Sequence, residues 1–208
     1  MTAPSRTVFL IDDDEDVRDA LRLLLRTAGF AVEPFPNALA FLERRDKAAV
    51  GCIVADVRMP GLSGLQLLER LAAEGERLPM VVITGHGDVN ACRRAFKGGA
   101  VDFLTKPIDE QVLIEAIEAG FARLEAHRRH ANEADEARTL LARLTQRESE
   151  ILDMVARGWM TKEIARTMGV SPRTVETHRA NLAEKLGTTS VAEMVRLVLL
   201  ARPADISP

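Results

Sequence analysis

The chain has 208 residues, enough for one large domain or two modest ones. Hydrophobic residues make up 47% and charged residues 28%, which excludes a disordered chain, and no apolar run nears the roughly 18 residues that a membrane span needs. The net charge of −3 hides an asymmetry: residues 1–120 hold 14 basic and 19 acidic side chains, and residues 145–208 hold 9 and 8.

Residues 1–120 alternate short strand-like runs with stretches of helical period. The strand candidates are Thr7–Ile11, Ala31–Pro34, Gly51–Ala55, Met80–Thr84 and Val101–Leu104. Three of these are nearly continuous apolar runs, as in parallel strands covered on both faces. Between the first two, Val17, Ala20, Leu21, Leu24, Leu25 and Ala28 share one helix face, which Gly29 ends. Further helices fit Ala38–Arg45, Leu65–Ala73, Val89–Lys97 and Glu110 onward. Five βα repeats predict an α/β domain with a doubly wound, five-stranded parallel sheet, whose functional groups gather at the carboxyl ends of the strands. Thr7–Ile11 leads straight into five acids, unlike a secretory leader. Cys52 and Cys92 have apolar neighbours and no C-x-x-C spacing, so they read as buried free thiols in a reducing cytoplasm.

Residues 110–144 contain no proline and only Gly120, which predicts a long helix leaving the first domain. Within it, Ala126–Arg138 is polar and reads as a solvated connector. From Leu144 the pattern is wholly helical. Four helices are marked off by Gly158, Gly169 and Gly187, with Pro172 just inside the third. The expected division is therefore a first domain over 1–120, a helical linker over 121–143 and an all-α four-helix domain over 144–208.

Set on this scaffold, the polar residues converge. Asp12 and Asp13 follow the first strand, Asp56 the third and Lys106 the fifth, while Thr84 ends the fourth. Three crowded carboxylates need a cation, and hard oxygen ligands suit Mg²⁺ (or Mn²⁺). A carboxylate beside such a metal can attack a phosphoryl group in line, with Lys106 neutralising charge and Thr84 donating a hydroxyl. Each residue alone has a plainer reading: Asp12–Asp16 as a solvated loop capped by Asp14, Asp56 as a turn residue, Lys106 as a surface charge. Joint placement at four strand ends favours the pocket.

The segments Leu10-Ile11-Asp12-Asp13, Ala55-Asp56-Val57-Arg58-Met59-Pro60-Gly61, Ile83-Thr84-Gly85-His86-Gly87 and Phe103-Leu104-Thr105-Lys106-Pro107 resemble the signature segments of response-regulator receiver domains, a flavodoxin-like family. That resemblance implies phosphorylation of Asp56 by a sensor histidine kinase. It also implies Mg²⁺ bound by Asp13, Asp56 and the backbone carbonyl of Arg58, with Asp12 in the outer shell. Thr84 and Phe103 match the switch pair, and a cis bond is implied before Pro107. Moving Thr84 would let Phe103 turn inward and remodel the face of the Val89–Lys97 helix and the fifth strand, which then dimerises.

In the last domain, Thr161–Met168 and Ser171–Leu186 are joined through Gly169-Val170 at the spacing of a helix-turn-helix, with Ser171 as cap. Residues 157–185 hold six Lys/Arg against three Glu, a mild basic stripe. Leu144-Thr145-Gln146-Arg147-Glu148, Lys162-Glu163-Ile164-Ala165, Ser171–His178 and Asn181–Gly187 resemble the LuxR/FixJ-type output domain. The resemblance implies that the Ser171–Leu186 helix enters the major groove of a double-stranded DNA operator. Lys162, Arg173, Thr174, Arg179 and Lys185 are then phosphate-contact candidates, and Glu176, Thr177 and Ala180 face the bases. Glu176 has an equally weighted reading as a solvated charge pairing with Arg173 or Arg179. Several relatives carry lysine at the positions of Glu176 and Ala180, so base preferences do not transfer. His178 reads as a packed or phosphate-adjacent residue. His127 and His130 share a helix face without further ligands, which disfavours zinc. The final helix suits core packing and, by family analogy, pairing of two output domains.

Taken together, the expectation is a cytoplasmic two-component regulator, not a turnover enzyme, with a phosphorylation-dependent homodimer and RNA polymerase as a further candidate partner. Two alternatives are a phosphorylation-independent DNA-binding regulator and a phosphohydrolase with Asp56 as nucleophile. Haloacid-dehalogenase-like phosphohydrolases need a second Asp two residues after the nucleophile, where this chain has Arg58.

Overall fold

The computed structural model describes residues 6–46, 50–76, 78–85 and 89–202, which fall into two compact units, Met1–Ala126 and His127–Pro208. His86 and Gly87 of the third signature segment lie outside the described residues. The first unit runs β1 (Thr7–Ile11), α1 (Glu15–Thr27), β2 (Ala31–Phe35), α2 (Ala38–Arg44), β3 (Gly51–Asp56), α3 (Gly64–Ala73), β4 (Met80–Thr84), α4 (Val89–Lys97), β5 (Asp102–Thr105) and the start of α5 (Glu110–Leu141). The sheet is parallel, in the order β2-β1-β3-β4-β5. Its direction of growth reverses between β1 and β3, and a crevice opens at such a reversal beyond the carboxyl ends of the strands.

Strand pleating sorts the core into two layers. Phe9, Ile11, Ile53, Ala55, Met80 and Val82 face one way and pack with residues of α2, α3 and α4. Val8, Leu10, Cys52, Val54, Val81 and Ile83 face the other, against Leu21 and Leu25 of α1 and Leu113, Ile117 and Phe121 of α5. Both faces are therefore dry, as the unbroken apolar runs predict. β2 lies at an edge of the sheet, where Pro34 costs no ladder bond on its outer side. Strand ends differ from expectation by one residue: β2 extends to Phe35, β3 to Asp56, and β5 sits one residue later.

The second unit holds α6 (Gln146–Ala156), α7 (Thr161–Met168), α8 (Pro172–Leu186) and α9 (Val191–Ala201), with the last turns of α5. Ile151, Leu152, Ile164, Val175, Leu182, Met194 and Leu197 build its core. The stretch expected as a solvated connector ends differently. Ala137 is fully buried in this core and Leu140 and Leu141 pack on it, three positions at i, i+3 and i+4 that share one helix face. No helix among the described residues is long and apolar enough to cross a membrane.

Candidate functional site

The first site forms in the crevice. β1 delivers Asp12 and Asp13, of which Asp12 is buried and Asp13 exposed. β3 carries Asp56 as its last residue, with only 7% of its surface exposed. Asp12, Asp13 and Asp56 each present a carboxylate oxygen within 4.8 Å of the others, a donor set that could hold a metal ion. Lys106, just past β5, bridges two of the acids: its Nζ donates to Asp56 Oδ2 at 2.5 Å and to Asp12 Oδ2 at 2.9 Å. Burial works against the Lys106 ammonium, but the bonds to Asp56 and Asp12 outweigh it and hold the group above its ordinary value.

Backbone amides engage the other carboxylate oxygen of each of these two acids. Arg58 N donates to Asp56 Oδ1 and Asp14 N to Asp12 Oδ1, both at 2.9 Å. Asp14 itself caps α1, accepting from Asp16 N and Val17 N, as expected for that residue. Thr84 is buried at the end of β4, and its carbonyl accepts from Lys106 N at 2.8 Å, which ties the ends of β4 and β5 together. Phe103, in β5, is half-buried against the layer formed with α2–α4. The Lys106–Pro107 bond is cis.

Two contributors escaped sequence reading. Arg18 of α1 reaches back to donate to the Asp12 carbonyl at 2.7 Å. Gly64 opens α3 so close to β3 that a Cβ there would lie 2.3 Å from the Asp56 carbonyl oxygen. Arginine on an amphipathic helix and glycine beside a turn carry no signal of either role.

A second site lies on the helical unit. Gly169, at φ 67°, ends α7 and turns the chain into α8, whose first turn is capped by Ser171 Oγ accepting from Thr174 N at 3.1 Å. Pro172 occupies the first turn of α8. Lys162, Arg173, Glu176, Thr177 and Ala180 are exposed; Thr174, Arg179 and Lys185 are half-buried. Val175, Leu182 and Leu186 form the buried stripe of α8, with His178 half-buried beside it. Arg179 Nη1 donates to Thr161 Oγ1 at 3.4 Å.

Lys185 behaves differently from the other phosphate-contact candidates. Its Nζ donates to Glu148 Oε2 at 2.7 Å, and Glu148 is only 3% exposed. The same oxygen accepts from Thr145 N at 2.8 Å and Thr145 Oγ1 at 2.9 Å, so the capping box of α6 also receives a helix from 37 residues away. The Lys185 bond first, then those from Thr145, hold the Glu148 carboxyl at about 2 against the opposing effect of burial. The Thr-x-x-Glu spacing marks the cap; the distant lysine was not legible.

Compared with known proteins, residues 8–118 match the response regulator receiver domain and residues 142–198 the luxR family of bacterial regulatory proteins. The chain belongs to the response regulator receiver family. The regulator is 44% identical to the transcriptional regulatory protein FixJ of Azorhizobium caulinodans, over 97% of this chain and 96% of that protein. It is 37% identical to the response regulator protein TodT of Pseudomonas putida, over 95% of this chain and 87% of that one. Among solved structures, the response regulator StyR superposes with a TM-score of 0.76 at 47% identity, covering 94% of this chain and 98% of StyR. Full-length FixJ from B. japonicum superposes with a TM-score of 0.60 at 40% identity, covering 96% and 98%. The regulator thus joins a receiver domain, which implies a kinase partner, to a LuxR-type domain, which implies DNA, and its relatives regulate transcription.

Proposed function

We propose that the regulator is switched by phosphorylation of Asp56 by a sensor histidine kinase in the cytoplasm, which promotes homodimerisation and sequence-specific operator binding. On this reading residues 1–120 form the phosphoacceptor domain, 121–143 the linker and 144–208 the DNA-binding domain, with RNA polymerase as a further partner. The observation that carries the proposal is the Lys106 ammonium held between Asp12 and Asp56 with exposed Asp13 alongside. It is a partly neutralised anionic pocket with one open side.

Asp13, Asp56 and the Arg58 carbonyl would hold Mg²⁺ (or Mn²⁺), with Asp12 in the outer shell; three carboxylate oxygens within 4.8 Å suit a hard divalent ion. When bound, Mg²⁺ supplies positive charge for the anionic phosphoryl oxygens. An Asp56 carboxylate oxygen attacks phosphorus and forms an O–P bond. The bond from phosphorus to the kinase imidazole nitrogen breaks, and that nitrogen keeps the electron pair. Lys106 neutralises charge on the transferring group, and the Thr84 hydroxyl donates to the product. Inverting a 1:99 equilibrium takes about 5.5 kcal/mol, on the scale of a few charge-assisted bonds. Thr84 and Phe103 are the elements that such bonds would bias, remodelling the face of α4 and β5 for pairing.

On the output side, Lys162, Arg173, Thr174 and Arg179 serve the DNA backbone. Glu176, Thr177 and Ala180, exposed on α8, face the bases. The test is acetyl phosphate with Mg²⁺, followed by intact mass and DNA binding, on the native chain and Asp56→Asn. The native chain is expected to gain one phosphoryl group and bind operator more tightly, and Asp56→Asn to do neither. Multiple turnover of a phosphoester, or DNA binding indifferent to the gain, would overturn the proposal.

A further inference from the structure

We infer that Lys185 and Glu148 are a positioning pair for the DNA-reading helix and that Lys185 does not serve as a phosphate contact. The inference deepens the proposed function and rests on its reading that α8 meets DNA. Three donors converge on Glu148 Oε2: the Thr145 amide, the Thr145 hydroxyl and Lys185 Nζ. Glu148 is buried in the first turn of α6, and Lys185 stands one residue before the end of α8. Leu182 and Leu186, on either side of Lys185, are locked in the core with Ile151 and Leu152 of α6. The lysine stem is therefore held where its ammonium meets one buried carboxylate, charge for charge.

That geometry decides between two uses of the same ammonium. A lysine gains DNA affinity by replacing counterions on a phosphate. Were Lys185 to swing out to a phosphate, Glu148 would remain buried with an uncompensated charge, which is strongly unfavourable. Seated as it is, the pair fixes the far end of α8 on α6. Ser171 caps the near end, and Arg179 ties the middle to Thr161 of α7. Groups that recognise a ligand work only when held within about 0.5 Å of the productive geometry. The buried stripe of Val175, Leu182 and Leu186 turns Glu176, Thr177 and Ala180 outward, and these three anchors fix the helix that carries them.

The experiment titrates binding of the full chain to a mixed-sequence DNA duplex across salt concentrations, comparing Lys185→Met, Lys185→Arg and Arg173→Gln with the native protein. The Glu148→Gln/Lys185→Met double variant, which orphans no charge, carries the same readouts should Lys185→Met unfold. Fluorescence of Trp159, the single tryptophan, verifies that each variant is fully folded at the assay temperature. Each phosphate contact contributes about 0.9 to the slope of log affinity against log salt. Lys185→Met is expected to bind several-fold more weakly at every salt concentration with an unchanged slope, Lys185→Arg to restore affinity, and Arg173→Gln to lose about 0.9 in slope. A slope that falls in Lys185→Met as in Arg173→Gln makes Lys185 a direct contact and overturns the inference. Undiminished affinity in the folded variant makes the pair merely structural and overturns it equally. An unaltered slope in Arg173→Gln strikes instead at the reading of α8 as the DNA-facing helix.

Discussion

Replacing Gly64 with alanine tests how tightly the backbone positions Asp56. A Cβ at residue 64 would lie 2.3 Å from the Asp56 carbonyl oxygen and 3.0 Å from its carbonyl carbon, where ordinary contact begins at 3.4 Å. The shortfall is about 1.1 Å, and both neighbours are backbone atoms, so no side-chain rotation relieves it. β3 cannot retreat, because β1 and β4 hydrogen-bond to its two edges. The displacement must fall on the Asp56 peptide and the loop behind it, where Gly64 N also bonds to Val57 O at 3.1 Å. Overpacking of this kind costs about 1–3 kcal/mol, and a misplacement of about 1 Å costs a reaction about 100-fold in rate. Gly64→Ala should therefore melt a few degrees lower and take up phosphoryl from acetyl phosphate about 100-fold more slowly, followed by intact mass over time. Gly75→Ala is the control. It has open space but a φ of 74°, so it should cost about 1–2 kcal/mol with no change in phosphorylation rate. A Gly64→Ala chain with native rate and native melting would refute the reasoning.

Acid should weaken the helical unit through Glu148. Its carboxyl is held at about 2 in the folded chain against 4.5 ordinarily, so its contribution is complete above 4.5 and is lost as pH falls toward 2. Urea unfolding followed by Trp159 fluorescence should show that loss, with a flatter acid limb in Glu148→Gln; identical limbs would count against it. Leu182→Ala removes a fully buried side chain and should cost about 2–5 kcal/mol in the unfolding of the second unit, with no change in the unfolding of the first, read by calorimetry. Burial pushes the Cys52 thiol up to about 12, whereas Cys92 is only half-buried. A thiol reagent at neutral pH should label Cys92 alone in the native chain and both cysteines in denaturant. Asp13→Asn, which removes an exposed carboxylate from the acidic cluster, should weaken Mg²⁺ binding measured by calorimetric titration; unaltered affinity would remove Asp13 from the proposed ligand set.

The sheet and its pocket were largely legible because their signals are local. Apolar runs mark strands covered on both faces, and one βα repeat after another places every strand's carboxyl end on the same side. Asp12, Asp56, Thr84 and Lys106 could thus be brought together from strand ends alone. The one-residue differences at β2, β3 and β5 arise because a strand ends where its neighbour stops offering hydrogen bonds, which depends on register. Gly64, Arg18 and the Glu148–Lys185 pair were not legible for a different reason. Each acts through a contact between elements whose spacing is set by packing, and no local pattern encodes that spacing. Ala137 belongs with them: one of four alanines in the polar stretch Ala126–Arg138, it looks as solvated as the others until Leu140 and Leu141 turn its face inward.

Both units bury a carboxylate against a lysine, yet the two pairs differ in charge balance. In the helical unit one ammonium meets one carboxylate, and the donors from Thr145 complete the shell of Glu148 Oε2. Nothing there favours a further cation, and the pair is inert. In the sheet unit one ammonium is shared by Asp12 and Asp56 while exposed Asp13 stands within reach of both. Three carboxylates there gather around the Lys106 ammonium, and the exposed one lies on the side that opens to solvent. On the proposed function, a divalent cation meets that imbalance and an anionic phosphoryl group follows as its counterpart. One ammonium shared by Asp12 and Asp56 already leaves the pair anionic, and Asp13 adds a third carboxylate on the open side, which is what sets this pocket apart from the one-to-one pair of Glu148 and Lys185.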